Sequence, residues 1–236
     1  MKNNLIEFDK TEKGSFDFLI GTDEAGRGPG AGSVYAAAVC FTDFNKALID
    51  ELKRVNDSKQ LSEETREELY EVIKQNCVYS VRFGTVEDIE KYNILRTSLN
   101  TMKLACEDVI SQLKSLYTSP SPLGEGRGEG LPVGTNVKVI IDGNKLIPNF
   151  KYPQKYIVKG DASSFSVAAA SILAKVERDR EMTRLSKEFP EYLWDKNKGY
   201  LTKEHLDAID KYGLTKWHRK SFLQKHFEKC EQLSLF

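Results

Sequence analysis

Short apolar segments separated by polar turns run through the chain and predict a β-sheet with a buried interior. Residues 18–20, 34–41 and 137–141 are strongly apolar, which is typical of strands covered on both faces. Residues 78–83 alternate between apolar and polar positions and predict another strand, and residues 156–158 predict a short one. The strands are separated by longer periodic stretches, so strands and helices are mixed along the chain.

Apolar residues at steps of three and four predict a long amphipathic helix over residues 94–116. Ser62 is a suitable N-cap for a shorter helix, because two glutamates follow it in the first turn. Ser163 or Ser164 can cap a helix that runs to about residue 185, and the alanine-rich face of this helix allows close packing on a sheet. The pattern therefore favours an α/β fold.

The last part of the chain predicts helices only. Residues 202–212 form a helical pattern that Gly213 ends, and a basic helical stretch continues to residue 229. Between Lys196 and Lys229 there are nine lysines and arginines against four acids, and all three histidines lie there too. This region is a candidate basic face for a polyanion, with a solvated helical surface as the alternative.

Two adjacent carboxylates, Asp23 and Glu24, follow the first apolar segment and precede a glycine-rich turn. Acidic side chains at the end of a core strand are costly unless a cation meets them. The glycines allow backbone N–H groups to approach a ligand closely, because no Cβ stands in the way. Carboxylates next to such a backbone suggest a divalent metal ion with a phosphate beside it.

Two other interpretations of this turn are a hairpin with solvated acids and a nucleotide-binding loop. The glycines fall at positions 26, 28, 30 and 32, so the G-x-G-x-x-G spacing of dinucleotide-binding loops fails. No Lys-Ser or Lys-Thr pair follows, as a P-loop requires. The solvated hairpin stays open at this point.

Two further acids occupy comparable positions. Asp142 closes the apolar segment 137–141, and Asp161 stands at the entrance of a predicted helix. In an open α/β sheet such positions converge on one edge, and four ionised acids share a pocket only if they bind cations. Oxygen ligands without clustered cysteine or histidine favour Mg²⁺ or Mn²⁺, and two such ions can promote hydrolysis of a phosphodiester. The residues alone suggest metal-dependent phosphoryl hydrolysis, with unrelated surface acids as the alternative.

Composition narrows the class of protein. The 236 residues carry a formal net charge of zero, which argues against indiscriminate nucleic-acid binding. No apolar run is long enough for a membrane span and the N-terminus lacks the features of a signal peptide, so we expect no membrane association. The four cysteines are scattered without a C-x-x-C pair and predict reduced thiols in a cytoplasmic protein without zinc.

Two segments fall outside the regular pattern. Residues 1–15 are polar and are expected to form a frayed or loosely paired N-terminal extension. Residues 118–136 contain three prolines and five glycines, cannot bury a core and predict a mobile surface insertion. The glycine and arginine content of the insertion could contact nucleic acid, and a passive loop is the alternative.

Several short motifs occur in a characteristic order between about residues 18 and 222. They are Asp23-Glu24-Ala25-Gly26-Arg27-Gly28-Pro29, Asp57-Ser58-Lys59-Gln60-Leu61, Asn93-Ile94, Ile141-Asp142-Gly143, Lys159-Gly160-Asp161, residues 168–175, Arg178-Asp179-Arg180 and Gly199-Tyr200-Leu201-Thr202-Lys203-Glu204-His205. This ordered set resembles bacterial ribonuclease HII, a type 2 ribonuclease H family. The resemblance implies a ribonuclease-H-like α/β fold, with a central mixed sheet flanked by helices and a C-terminal helical subdomain.

The resemblance also implies an activity. Enzymes of this family hydrolyse the RNA strand of RNA–DNA hybrids and nick duplex DNA on the 5′ side of single embedded ribonucleotides, leaving a 3′-hydroxyl and a 5′-phosphate. It implies two divalent ions, Mn²⁺ or Mg²⁺, at the site during catalysis. Ribonucleotide removal and RNA primer removal are the expected roles, performed by a monomer.

The site residues are carried over by their positions in the motifs. Those implied to be catalytic and metal-binding are Asp23, Glu24, Asp142 and Asp161. Those implied to bind substrate are Gly26, Arg27 and Gly28 at the ribose 2′-hydroxyl, Tyr200 at the neighbouring deoxyribose, and Ser58 and Lys59 at phosphates. The basic C-terminal helices would hold further phosphates without reading sequence.

The chain departs from the family pattern at several positions. Gly30 and Ser33 stand where leucine and proline are usual, and Leu201 replaces a common proline after the tyrosine. Ser163 stands where a lysine usually follows, so one phosphate contact is in doubt. None of these changes affects the four acids.

The last five residues resemble the short peptide with which bacterial replication and repair proteins dock on the DNA polymerase sliding clamp. Two leucines and a terminal phenylalanine can fill an apolar groove, while a glutamine fixes the register. The alternative is a frayed helix end. The residues are Gln232, Leu233, Ser234, Leu235 and Phe236.

The predicted organisation has four parts. An extension (1–15) precedes a catalytic domain (16–190), which is followed by a helical substrate-binding subdomain (191–229) and a clamp-binding tail (230–236). Two other functions stay open: a non-catalytic nucleic-acid-binding module tethered to the clamp, and a DNA nuclease or recombinase of the same fold, which would cut an all-DNA duplex.

Overall fold

A five-stranded mixed β-sheet forms the core of the computed structural model, which describes residues 4–43, 61–118 and 136–233. The order across the sheet is β3-β2-β1-β4-β5, with β1 antiparallel to β2 and parallel to β4. The predicted mixed sheet is therefore confirmed. The strands are β1 (Phe18–Ala25), β2 (Val34–Cys40), β3 (Val78–Gly84), β4 (Val137–Asp142) and β5 (Gln154–Ile157).

Helices cover both faces of this sheet and continue beyond it. They are α1 (Asn4–Lys13), α2 (Glu63–Asn76), α3 (Val86–Tyr92), α4 (Ile94–Thr118), α5 (Phe165–Glu188), α6 (Trp194–Asn197), α7 (Lys203–Tyr212) and α8 (Lys220–Leu233), with 3₁₀ turns at Gly160–Ala162 and Pro190–Tyr192. The predicted N-caps are confirmed at Ser62 and at Ser164, each of which accepts a backbone N–H of its helix. Gly213 ends α7 as predicted.

The alternating side chains of the strands build two separate apolar layers. In β2, Ala36 and Ala38 point into the layer covered by α4, whereas Ala37 and Val39 point into the layer covered by α5 and α2. The alanine-rich face of α5 lies directly on β1, as predicted. A Cβ at Gly21 would stand 2.3 Å from the backbone carbon of Ser166, so only glycine allows this close approach.

A third apolar cluster joins the C-terminal helices to the second half of α5. Met182 and Leu185 of α5 pack with Trp194, Ile209 and Leu223, and all five side chains are buried. The C-terminal helices are thus held by the same helix that packs against the sheet. The domain boundary that we predict at residue 190 lies just after this shared helix.

The N-terminal segment differs from its predicted frayed state. Residues 4–13 form α1, and the buried Asp9 accepts hydrogen bonds from Ser164 Oγ (2.6 Å), Ser166 N (2.8 Å) and Ser166 Oγ (2.7 Å) at the start of α5. Burial raises the pKa of Asp9 above its usual value, against the effect of these hydrogen bonds. The expectation of a loose extension is therefore wrong, because a polar side chain anchors it to a helix terminus.

The cysteines and the helix lengths bear on two other expectations. Cys40, Cys77 and Cys106 are free thiols, and burial raises the pKa of Cys40 and of Cys106 to about 12. Within the described ranges, no helix combines the length and the apolar character that a membrane crossing requires.

Candidate active site

Two strands and one turn bring the four predicted acids to one edge of the sheet. Asp23 and Glu24 lie inside β1, which continues beyond them to Ala25 because β2 still pairs there. This corrects the expectation that the acids follow the strand. Asp142 is the last residue of β4, the parallel neighbour of β1, and Asp161 lies in the 3₁₀ turn that leads into α5.

The acids form a strongly negative cluster around Asp23. Asp23 is 5% exposed and Asp161 is 6% exposed, so both carboxyl groups are largely removed from water. Burial raises the pKa of Asp23 well above its usual range, and the negative charges of Glu24, Asp142 and Asp161 raise it further. A cation bound at this cluster would offset the repulsion among the four carboxylates and favour the ionised form of Asp23.

Local hydrogen bonds hold these carboxylates in place. Asp23 accepts the amide of Glu24 at 2.6 Å, and Asp142 accepts the amide of Gly160 at 2.6 Å. Arg27 Nη1 donates to Glu24 Oε1 at 3.1 Å. The loop before Asp161 is therefore tied directly to Asp142, and the glycine-rich turn is tied to Glu24.

The donor set fits a hard divalent cation, because it consists of carboxylate oxygens in a negatively charged cluster in which Asp23 and Asp161 are buried. As the side chains stand, no group of three or more His, Cys, Asp or Glu residues in the described ranges is arranged closely enough to hold a metal ion. The acids thus share one sheet edge and one electrostatic environment, and their arrangement as metal ligands stays a prediction.

The glycine-rich turn next to these acids is supported from beneath by buried arginines. Gly26 has φ of 100°, and a Cβ there would stand 2.2 Å from Arg178 Nε, so a larger residue is excluded on both counts. Arg178 is itself buried and donates to the carbonyls of Ala31 (3.2 Å) and Lys198 (2.9 Å). This arginine connects the glycine turn to the segment that carries Tyr200.

Arg219 binds the glycine turn more extensively. Its Nε donates to the carbonyl of Gly32 (2.9 Å), Nη1 to Pro29 (2.8 Å) and Nη2 to Ser33 (3.1 Å), and the side chain is completely buried. Burial and the nearby charge of Arg178 lower the pKa of Arg219 to about 9, so it remains protonated at neutral pH. Its planar fork thus holds three carbonyls of the turn, while the amides of Gly30, Gly32 and Ser33 donate to Gly199, Trp217 and Glu181.

Tyr200 lies against the opposite side of the turn. Its ring is half exposed, and a Cβ on Gly28 would stand 3.4 Å from Tyr200 Cε1. The amide of Gly30 donates to the carbonyl of Gly199 at 2.9 Å, which joins the two segments. The structure therefore brings the predicted tyrosine and the predicted glycine loop together.

Two departures from the family pattern compensate for each other. A Cβ at Gly30 would stand 2.5 Å from Leu201 Cδ2, so the leucine side chain at 201 occupies the space of the side chain missing at 30.

The third departure, Ser33, forms hydrogen bonds of its own. Its backbone N–H and its hydroxyl both donate to Glu181, at 3.0 Å and 2.9 Å. A proline there could make neither bond.

Several predicted residues lie outside the described ranges. Ser58 and Lys59 fall in residues 44–60, most of the 118–136 insertion falls in residues 119–135, and Ser234, Leu235 and Phe236 follow the last described residue. Gln232 and Leu233 belong to α8. The roles of these residues stay predictions.

The buried polar side chains of the C-terminal region were not predicted from the sequence. The predicted basic face included the one arginine and the three histidines of residues 196–229, whereas Arg219, His205 and His218 are buried. Lys203, Lys211, Lys216, Lys220 and Lys225 do remain exposed. A signal was available, since the histidines lie in stretches where apolar residues recur at helical spacing and a buried face is expected.

Known structures with this architecture identify the class. The structure of the complex of PCNA with RNase HII from Archaeoglobus fulgidus contains a chain that is 25% identical, covers 86% of this chain and 93% of its own, and superposes with a TM-score of 0.63. The mixed sheet with acids at one edge thus defines an enzyme of the ribonuclease-H-like class.

Sequence similarity then gives the family. Residues 20–230 match the family model of ribonuclease HII. A ribonuclease HII from Fusobacterium nucleatum is 42% identical over 98% of this chain and 96% of its own, and one from Pelagibacter ubique is 44% identical over 86% and 95%. The chain belongs to the ribonuclease HII family, and it is an endoribonuclease acting on RNA–DNA hybrids. The interpretation as a non-catalytic binding module is thereby set aside.

Proposed function

We propose that this enzyme also nicks duplex DNA on the 5′ side of a single embedded ribonucleotide, leaving a 3′-hydroxyl and a 5′-phosphate. The observation that supports this is the contact between Tyr200 and Gly28 beside the acids. The backbone of a glycine turn can contact a ribose 2′-hydroxyl, which distinguishes RNA from DNA, because no side chain stands in the way. An aromatic ring at the next position can pack against a deoxyribose. Together they would select the junction between the two sugars.

In this proposal the glycine turn works through its backbone. Arg219 and Arg178 hold the carbonyls of residues 29–33 from beneath, so the turn does not need to reorganise when substrate binds. Arg27 reaches Glu24 and would place its cation between the acids and the phosphate backbone. Gly26, Arg27 and Gly28 would then position the ribose so that the scissile phosphate lies at the carboxylates.

The four acids would hold the divalent ions that ribonuclease H enzymes require. Asp23, Glu24, Asp142 and Asp161 would bind two Mn²⁺ or Mg²⁺ ions, which supply an activated water and stabilise the leaving oxygen when bound. The protein contributes a desolvated pocket, with the charge of Asp23 held beside three other carboxylates. Ser58, Lys59 and the exposed lysines of the C-terminal helices would hold phosphates and position the duplex.

Replacing Tyr200 with alanine tests the junction proposal. We expect kcat/KM for a duplex with one ribonucleotide to fall by about tenfold or more, and that for a continuous hybrid to fall by less than about threefold, since aromatic packing contributes roughly 1–3 kcal/mol. The measurement is a gel assay on both substrates, with an all-DNA duplex and a chelator lane. Tyr212→Ala is a matched control, because Tyr212 is equally exposed on α7. Equal losses on the two substrates would contradict the junction role.

We further propose that the C-terminal tail binds the DNA polymerase sliding clamp. Gln232 and Leu233 are the last two residues of α8, and Ser234, Leu235 and Phe236 follow them in the sequence. Two leucines and a phenylalanine after a glutamine suit an apolar groove on a partner. The RNase HII chain from Archaeoglobus fulgidus, which is 25% identical, was solved in complex with PCNA, and this supports the proposal.

Deleting residues 232–236 is expected to abolish binding to the clamp from the same organism while cleavage of a short duplex stays within about twofold, because the deletion removes only the last two residues of α8 and the three that follow them in sequence. Surface plasmon resonance on immobilised clamp measures the first quantity, and the gel assay measures the second. Leu235→Ala with Phe236→Ala should reproduce the loss, whereas Ser234→Ala should not. An unchanged clamp affinity after the deletion would refute the proposal.

A further inference from the structure

Two buried histidines connect the C-terminal helices to the backbone of Tyr200. His205 of α7 and His218, in the segment before α8, are 0% and 2% exposed. Their Nε2 atoms lie 3.2 Å apart, and His205 Nδ1 lies 2.9 Å from the carbonyl oxygen of Tyr200. Neither histidine belongs to the proposed active site.

The surrounding donors determine which nitrogen of each ring carries the proton. The amide of Thr215 donates to His218 Nδ1 at 3.0 Å, so the proton of His218 is on Nε2. Trp194 Nε1 donates to His205 Nε2 at 3.0 Å, so the proton of His205 is on Nδ1. His218 Nε2–H and Trp194 Nε1–H therefore share the one lone pair of His205 Nε2, and His205 Nδ1–H donates to the carbonyl of Tyr200, in one directed chain of hydrogen bonds.

The same short segment also holds the glycine turn. His218 forms an isolated β-bridge with Ala31, and the next residue, Arg219, binds the carbonyls of Pro29, Gly32 and Ser33. The amide of Arg219 donates to the carbonyl of Gly30 at 2.8 Å. His218 and Arg219, adjacent in sequence, thus contact the glycine turn directly and contact the Tyr200 segment through His205.

We infer that His218 is a positioning residue that, through His205, fixes the separation between the Tyr200 ring and the glycine turn and so sets the preference for a ribonucleotide–deoxyribonucleotide junction. This inference rests on the proposed junction role of Tyr200. A long hybrid offers a ribose at every position, so it depends less on that separation than a duplex with one ribonucleotide does.

The neutral state that the chain of hydrogen bonds requires agrees with its environment. Burial lowers the pKa of His218 to about 4, with a further effect from His205, and burial lowers the pKa of His205. The ionisable groups facing the pair are Tyr192, stacked on Trp194, and Arg219 next in sequence. No carboxylate forms an ion pair or hydrogen bond with either ring among the described residues, and burial outweighs the backbone hydrogen bonds that favour the protonated form.

The test is a double-mutant cycle between positions 218 and 200. His218→Asn keeps an acceptor for Thr215 and removes the donor to His205. We expect it to lower kcat/KM for a duplex with one ribonucleotide by about tenfold and for a hybrid by less than about threefold, since small misplacements at a site are amplified in rate. In the Tyr200→Ala background the same change should cost less than about twofold, because the residue through which it acts is already absent. His226→Asn, which alters a surface histidine of α8, is the matched control.

Two results would overturn the inference: equal losses on both substrates, or losses that multiply in the double variant. Long-range ¹H–¹⁵N spectra of the wild-type enzyme give a readout that does not depend on folding of a variant. They should show Nε2–H for His218 and Nδ1–H for His205, unchanged from pH 6 to 8, and the opposite tautomers would refute the hydrogen-bond chain. If wild-type enzyme cuts the hybrid but not the single ribonucleotide, the proposed function fails instead, and the spectra separate that outcome from a failure of the network.

Discussion

Asp23→Asn is expected to lower the rate of hybrid cleavage by about a thousandfold or more, while the duplex still binds. Asparagine keeps the shape of the side chain and removes a charge that faces Glu24, Asp142 and Asp161. Transition-state stabilisation by bound metal ions amounts to several kcal/mol, and each 1.4 kcal/mol is a factor of ten in rate. Single-turnover rates in Mg²⁺ and in Mn²⁺ measure the loss, and fluorescence anisotropy measures the retained affinity.

The same variant should unfold at a higher temperature than wild type in the presence of a chelator. Burial and three like charges oppose ionisation of Asp23 in the metal-free protein, and asparagine removes that cost. Adding Mg²⁺ or Mn²⁺ should stabilise wild type more than the variant, because a ligand stabilises the state that binds it. Glu107→Gln, on the exposed surface of α4, is a suitable control. Retained turnover in Asp23→Asn would remove the basis for assigning this residue to the metal site.

Arg219→Met should destabilise the protein by roughly 3–5 kcal/mol, the usual effect of removing one partner from a buried charged network. Methionine leaves the carbonyls of Pro29, Gly32 and Ser33 buried without their donors. For a chain of this size the loss corresponds to a fall in Tm of about 6–20 °C, at 2–4 °C per kcal/mol. Differential scanning calorimetry measures it.

Arg219→Lys separates the fork geometry from the charge. Lysine keeps the cation but cannot reach three carbonyls in one plane, so we expect it to recover less than about half of the lost stability. Arg184→Met serves as the control, because Arg184 is exposed and pairs with Glu188 on the surface of α5. A Tm for Arg219→Met within about 2 °C of wild type would show that the glycine turn holds its shape without the arginine.

The sheet edge with its acids could be predicted because it depends on local and repeating features. Apolar segments give the strands, capping serines give the helix starts, and parallel strands bring their carboxyl ends to one edge. That logic placed Asp23, Asp142 and Asp161 together. It did not give the end of β1, because continuation of the strand to Ala25 depends on pairing with Tyr35, a residue of another strand.

The support of the glycine turn could not be predicted in the same way. Arg219 is 186 positions away from Ser33, and only the packing of the C-terminal helices on α5 brings the two together. Charged residues are almost never fully buried unless they are paired, so a surface position was the reasonable expectation for Arg219. The sequence also gives no sign that Gly30 and Leu201 compensate for each other. Only the structure shows that the Leu201 side chain fills the space that a side chain at position 30 would take.

Helix α1 extends the folded unit beyond the N-terminal limit of the match to the family model. The match to the family model begins at residue 20, yet Asp9 accepts hydrogen bonds from both serines at the start of α5, three and five positions beyond Asp161. A recombinant protein that begins at residue 20 would lack Asp9, and the hydroxyls of Ser164 and Ser166 would need water as their acceptor. The N-terminal helix thus braces the turn that carries Asp161, and substitutions in this helix offer a way to change how firmly that turn is held.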